Sequence, residues 1–156
     1  RRSQQEILVT TPYFVPTRRL KRELIAARQR GVRVALAVPA ASDSALVHMM
    51  SRSHFGALLR AEIEIHEYQD AMLHAKTAVV DRIWFTLGSS NMDWRSLIHN
   101  AELNLIGIDP AVGNKLAEIF ARDLRACRRV TQQQWQDRAW WSRWLEPLMR
   151  PLEFLL

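Results

Sequence analysis

One stretch, His74 to Asn91, limits what this chain can be more than any other: H-A-K-T-A-V-V-D-R-I-W-F-T-L-G-S-S-N. Its skeleton is His-x-Lys, then Asp81, then Gly-Ser-x-Asn from Gly88. The apolar run around it predicts a strand whose two-residue period places His74 and Lys76 on one face, with Leu73, Ala75, Thr77 and Val79 on the other. A second run, Ile83 to Leu87, follows Asp81-Arg82, so the two strands form a hairpin. Gly88-Ser89-Ser90-Asn91 then makes a tight turn of small residues whose backbone N–H groups can approach an anion. Singly, each feature is ordinary: a strand histidine is usually structural, a lone lysine a solvated charge, a Gly-Ser turn only a turn. Together they bring a nucleophile, a cation and an amide-rich turn to one place. That is a site for phosphoryl chemistry.

At every fixed position, His74, Lys76, Asp81, Gly88, Ser89 and Asn91 resemble the HKD signature of the phospholipase D superfamily. The segment from Met92 to Asn104, and Thr11-Pro12-Tyr13-Phe14-Val15-Pro16 near the start, resemble its cardiolipin synthase branch. The resemblance runs from about Ile7 to the C-terminus and is closest to the C-terminal half of a chain that would carry two such motifs. It implies an α/β fold, a mixed and mostly parallel sheet sandwiched by helices, with a C-terminal helical tail. It also implies phosphatidyl transfer in cardiolipin synthesis through a phosphohistidine, with two HKD halves sharing one site. His74, Lys76, Asp81 and Glu102 are the implied catalytic residues, and Lys76, Ser89 and Asn91 the implied phosphate-binding ones. His74 would be nucleophile or general acid, and Glu102 would accept a hydrogen bond from it. A salt bridge from Glu102 to Arg95 is the competing reading. The implied partners are a phosphatidylglycerol-like anionic lipid, a membrane surface, and an N-terminal HKD half or second copy, with no nucleic acid. The implied location is peripheral, on the cytoplasmic side of a bacterial inner membrane, and no cofactor or metal is implied. Two alternatives stay open: a homodimeric phosphodiesterase acting on lipid or nucleic acid, and a non-catalytic lipid-binding module.

Composition narrows this only so far. The net charge of +6 and a pI near 10.4 favour anionic partners without choosing between nucleic acid and lipid. One cysteine, Cys127, rules out an internal disulfide framework and fits a reducing compartment. No Cys/His cluster has metal-ligand spacing, no apolar run is long enough to span a bilayer, and no signal peptide is recognisable. The start at Arg1-Arg2, without Met, suggests a piece of something longer.

In chain order, Ile7 to Thr10 reads as a buried strand, and Thr17 as the cap of a helix stopped by Gly31. Arg18, Arg19, Lys21 and Arg22 crowd that helix's start, as a solvated face or an anion-facing patch. Val32 to Val38 completes a right-handed parallel crossover. Ser42-Asp43 is expected to cap a second helix carrying His48 and His54, and Glu62 to Tyr68 to form a strand with His66; all three histidines read as structural. Asp81-Arg82 stands where Asp-Gly would suit the hairpin, so either the turn type differs or the position is mildly strained. Ala101 to Ile108 is expected to be a strand alternating Ala101, Leu103 and Leu105 against Glu102 and Asn104, with the Glu102 carboxylate inward and in need of a partner, and Pro110 to Arg129 a helix with Cys127 on its apolar side. Residues 1–129 are assigned to the HKD half-domain and 130–156 to the tail. Thr131-x-x-Gln134 opens that tail as a capping box, and its Trp135, Trp140, Trp141 and Trp144 mixed with arginines suit either a membrane interface or packing against a missing half.

Overall fold

The computed structural model describes residues 3–93, 96 and 100–138. Strand β1 (Glu6–Thr10) leads through the short β2 (Phe14–Val15) into helix α1 (Arg18–Gln29), which returns the chain to β3 (Arg33–Pro39). The Thr17 hydroxyl accepts the Leu20 N–H at 3.1 Å, and Gly31, at φ 90°, turns the chain out of the helix. Both signals act as expected. β1 and β3 pair in parallel, so the crossover forms. Helix α2 (Ala45–Arg60) leads to β4 (Glu64–Tyr68), parallel to β3. Ser44, rather than Ser42-Asp43, caps α2, because the Asp43 carboxylate is engaged by the Tyr13 hydroxyl at 2.6 Å.

After β4 the chain changes style. β5 (Thr77–Val80) runs antiparallel to β1, and β6 (Trp84–Gly88) closes the expected hairpin with it. β7 (Met92–Asp93) pairs with β2, and β8 (Asn104–Ile108) pairs antiparallel with β6. Helix α3 (Pro110–Asp123) passes through a 3-10 turn (Leu124–Ala126) into β9 (Cys127–Val130), antiparallel to β4. The described sheet order is β8-β6-β5-β1-β3-β4-β9. The sheet is mixed, as expected, yet four of its six pairings are antiparallel, because only β1, β3 and β4 are joined by helical crossovers.

Alternate residues of β1 and β3 feed two cores. Val9, Val34, Leu36 and Val38 pack beneath α1 and α2, while Leu8, Ala35 and Ala37 meet Ala117 and Phe120 of α3. Helices thus cover both faces.

Two sequence expectations fail at the sheet edges. The helix expected to reach Arg129 ends at Asp123, and Cys127 lies in β9, where Arg128 and Arg129 pair with Glu67 and His66 of β4. The strand expected from Ala101 begins at Asn104, and Leu103 and Leu105 are exposed (82% and 60%) because β8 is the outermost strand. Helix α4 (Gln132–Gln136) opens with the expected capping box, and Trp135 packs on Phe55 at 5.3 Å, joining the core together with Val130. Trp140, Trp141 and Trp144 lie outside the described residues.

One pH dependence follows from β4. Glu64 accepts both Arg33 Nε (3.0 Å) and Arg33 Nη2 (2.9 Å), which together with His66 hold its carboxyl at about 2 against the ordinary 4.5. Burial lowers the His66 imidazole below its ordinary value despite the Glu64 carboxylate beside it. In both cases the unfolded chain binds protons more readily, so stability falls with falling pH. The His66 contribution fades as pH drops through 6.5, and the Glu64 contribution between 4.5 and about 2. Acid titration followed by circular dichroism should show this loss, and Glu64→Gln should flatten its lower limb.

Candidate active site

The C-terminal ends of β1, β3, β4 and β6 and the N-terminal ends of β5 and β8 all lie at one end of the sheet. The polar residues singled out above converge there, apart from Asp81. His74 and Lys76 precede β5 rather than sitting within it. Their positions come from anchors on either side: Leu73 is buried in the α3-side core, and Thr77 pairs with Thr10. His74 is exposed, and its imidazole makes no hydrogen bond to the described residues. Lys76 Nζ donates to the His74 carbonyl at 2.9 Å, which holds the two residues as a unit. Burial lowers the Lys76 ammonium pKa, against the pull of Glu102 and Asp93.

The Gly-Ser-Ser-Asn turn is stitched between these residues and β8. Gly88 N–H donates to the Lys76 carbonyl at 3.2 Å, and Ser89 N–H to the Leu103 carbonyl at 3.0 Å. Leu103 N–H returns to Ser89 Oγ at 2.9 Å, and the Asn104 amide pairs with Ser90. Only glycine fits at 88: a Cβ there would lie 2.2 Å from the Leu103 carbonyl oxygen and 2.3 Å from Asn104 Oδ1. Asn91 ends the turn with Oδ1 buried and without a hydrogen-bond partner. A small cleft beside it is lined by Thr10, Lys76, Ser90, Asn91, Asn104 and Ile106 among others. A buried acceptor left unpaired costs on the order of 1–3 kcal/mol, so this amide is held in place for something other than stability.

Glu102 lies just before β8, within the influence of Lys76. The Ser89 hydroxyl, then Ser96 and Asn100, hold its carboxyl below the ordinary value, and Asn100 Nδ2 is 3.4 Å away. The hydrogen bond expected from His74 is not formed. β8 starts three residues later than the alternation suggested, so Glu102 is not on the strand face that would meet the imidazole. Arg95, its alternative partner, lies outside the described residues.

Asp81 is not part of this cluster. It sits at the opposite end of β5, with Thr77–Val80 between it and Lys76, where its carboxylate accepts the N–H groups of Gln4 (2.8 Å), Gln5 (2.8 Å) and Glu6 (3.0 Å). Burial opposes its ionisation, but those donors prevail and lower its pKa. Asp81 and Arg82 both adopt positive φ, 53° and 56°, so the tight hairpin turn forms without the glycine that suits it. A left-handed arginine costs on the order of 1 kcal/mol, and its 2.8 Å bond to buried Glu6 offsets part of that.

Sequence reasoning missed the pair made by Tyr13 and Asp43 at this same end, which raises the phenol pKa and lowers that of the carboxyl. No local pattern joins residues thirty positions apart. Among the described residues no His, Cys, Asp or Glu group is arranged to hold a metal, and no helix is long and apolar enough to cross a membrane.

Residues 1–124 match the family described as cardiolipin synthase, PLD-like domain. The chain belongs to that family. Cardiolipin synthase A of Pectobacterium carotovorum is 38% identical over 146 residues, covering 94% of this chain and 30% of that relative. Cardiolipin synthase A of Buchnera aphidicola from Acyrthosiphon pisum is 36% identical over 154 residues, covering 99% and 32%. The PLD-like domain therefore spans about a third of the length of the curated relatives it matches. In fold it superposes on Nuc of Salmonella typhimurium, a phospholipase D family member (TM-score 0.71, 17% identity, 83% of this chain and 84% of that one). It also superposes on phosphatidylserine synthase of Haemophilus influenzae (TM-score 0.70, 16% identity, 97% and 39%).

Proposed function

We propose that this PLD-like domain is one half of a cardiolipin-forming phosphatidyltransferase. The observation that carries the reading is the sheet end itself: partly buried Lys76 and Asn91, its Oδ1 unpaired, line one cleft, with exposed His74 two residues before Lys76 and the Ser89–Glu102 contact in the adjoining turn. The 38% identity to a cardiolipin synthase supports the substrate class.

In this mechanism one histidine attacks the phosphorus of a phosphatidylglycerol-like lipid, the P–O bond to the departing alcohol breaks, and a phosphohistidine forms. A second histidine gives the alcoholate its proton, then takes one from the incoming hydroxyl as that oxygen displaces the first histidine. The domain supplies one such histidine, so an N-terminal HKD half or a second copy of the chain supplies the other. Lys76 and Asn91 stabilise charge on the non-bridging oxygens, Lys76 by its ammonium and Asn91 by its side-chain N–H. Ser89 keeps the turn in register, and Glu102 acts through Ser89 and Lys76 to position them. Asp81 supports the site at a distance, through the hairpin that carries Lys76 and Gly88. Work on lipid puts the domain at a membrane surface, peripherally and on the cytoplasmic side.

Cardiolipin formation from phosphatidylglycerol by the assembled enzyme tests this reading. Lys76→Ala and Asn91→Ala should each lower the rate by about 100-fold or more, the effect of losing one preorganised donor. Glu102→Gln should cost less, since the amide still meets Ser89. The isolated chain, at a mass checked by light scattering, should form no cardiolipin. Turnover by a species of one-chain mass would sink the shared site.

The fold likeness to Nuc, which this chain covers over most of its length, favours a second reading as a symmetric phosphodiesterase. Cleavage of a water-soluble phosphodiester by the isolated chain as a dimer would support it. The higher identity to cardiolipin synthases supports the first.

A further inference from the structure

Helices α1 and α2 both begin at the sheet end that carries His74, since each follows a strand that finishes there, and both pack on the same face. The first turns of α1 hold Arg18, Arg19 and Arg22, all exposed and none paired with a carboxylate among the described residues. Leu46 and Met49 lie one turn apart at the start of α2, 44% and 38% exposed, and Met72, 58% exposed, sits two residues before His74. Of the other exposed aliphatic residues, Ile83 and Val112 lie at the opposite end, and four run along β8 and its approach, Leu103 among them reaching the same end. Apolar exposure coincides with unpaired positive charge at this end.

We propose that this rim is the surface by which the protein docks on an anionic lipid bilayer. The three guanidinium groups meet lipid phosphates, and Leu46, Met49 and Met72 enter the headgroup–acyl boundary, so that His74 and Lys76 face the membrane. The two kinds of residue have separate tasks. Guanidinium groups gain from a negative surface potential at about a fivefold change in binding each at low salt, and lose that gain as salt screens it. Aliphatic side chains gain from leaving water, and that gain persists in salt. A nucleic acid would use the charges and gain nothing from the aliphatic residues, so their coincidence points to lipid. The choice of lipid rests on the function proposed above, but docking is separable from chemistry.

Sedimentation of the full chain with vesicles of equal parts phosphatidylglycerol and phosphatidylcholine tests the surface. Wild type should bind at low salt and bind poorly to pure phosphatidylcholine. The triple variant Arg18→Glu, Arg19→Glu, Arg22→Glu should weaken binding roughly 100-fold or more at low salt. Leu46→Ser, Met49→Ser, Met72→Ser should retain salt-sensitive attraction and lose the salt-resistant part. Both triples change exposed positions, and thermal melts matching wild type verify their folding. His74→Ala should bind as wild type does, which separates a failure of docking from a failure of the catalytic reading. Undiminished binding by both triples, no binding by wild type, or displacement by duplex DNA with no effect of the serine triple would each overturn the proposal.

Discussion

In the assembled enzyme, His74→Ala should abolish the proposed phosphatidyl transfer and leave the fold as stable as before. The two halves of this result have separate causes. His74 is exposed, lies outside any strand and makes no hydrogen bond to the described residues, so its loss should change stability by no more than about 0.5 kcal/mol. Anchoring of the segment falls to Leu73, in the core, and to the Thr77–Thr10 pairing, both of which the variant keeps. The chemistry has no such redundancy. In the proposed mechanism His74 either attacks phosphorus or handles the proton of the alcohol, and a loss of about a thousandfold or more is expected from removing its imidazole. Cardiolipin formation measured beside thermal unfolding reads both halves. Transfer within tenfold of wild type would remove His74 from the mechanism, and a large fall in melting temperature would mean that it supports the fold instead.

The largest effect on stability is expected far from the cleft, at Glu67. This carboxylate is 2% exposed in β4, yet it is central to how four elements meet. Arg52 of α2 reaches one oxygen at 2.5 Å and Arg128 of β9 the other at 2.8 Å. The Arg52 guanidinium also lies over the Trp135 ring at 4.9 Å, bringing in α4. Glu67→Ala leaves Arg52 partly buried without its anion and removes the tie between α2 and β9. A cost of about 3–5 kcal/mol is expected, and at this chain length that corresponds to a fall in melting temperature of about 10 °C or more. Replacing both partners, Glu67→Leu with Arg52→Met, should cost less than Glu67→Ala alone, because it strands no charge. Urea unfolding of the three proteins gives the comparison. A cost below about 1 kcal/mol for Glu67→Ala would show that surrounding apolar contacts hold these elements together unaided.

What the sequence revealed, and what it hid, divides along the distance over which the physics acts. Thr17 and Gly31 bound α1 through contacts within a few residues, and Thr131 with Gln134 opens α4 in the same way. The β5–β6 hairpin is equally local, and the spacing from His74 to Asn91 survives because that hairpin enforces it. The strand order was less accessible. Cys127 to Arg129 continued a helix on paper, and the stretch becomes a strand only because β4 offers a free edge 61 residues away in sequence, with Glu67 waiting for Arg128. Leu103 and Leu105 are exposed although alternation put them on one apolar face, because alternation says that a strand has two faces, not whether either face is covered. Glu102 was placed on the imidazole by resemblance, whereas its contacts are set by where β8 begins and by the Ser89 turn. Tyr13–Asp43 carried no pattern at all, since two loops meet there only once the parallel strands are stacked.

The outermost strand has a consequence for how the protein behaves at high concentration. Among the described residues, β8 borders β6 on one side and nothing on the other, and Leu103, Leu105, Ile106 and Ile108 at or just before it are 60–82% exposed. No lysine, proline or bulge within Asn104–Ile108 blunts that edge. Such an edge is a template for another strand of the same kind, so solubility of the separate chain is a kinetic matter, set by how often two edges collide before something else occupies them. Dilution, a short residence free in solution, or a single charge placed at Ile108, at the end of β8 away from the cleft, would each lengthen the life of the monomer without touching the chemistry at the other end of the sheet.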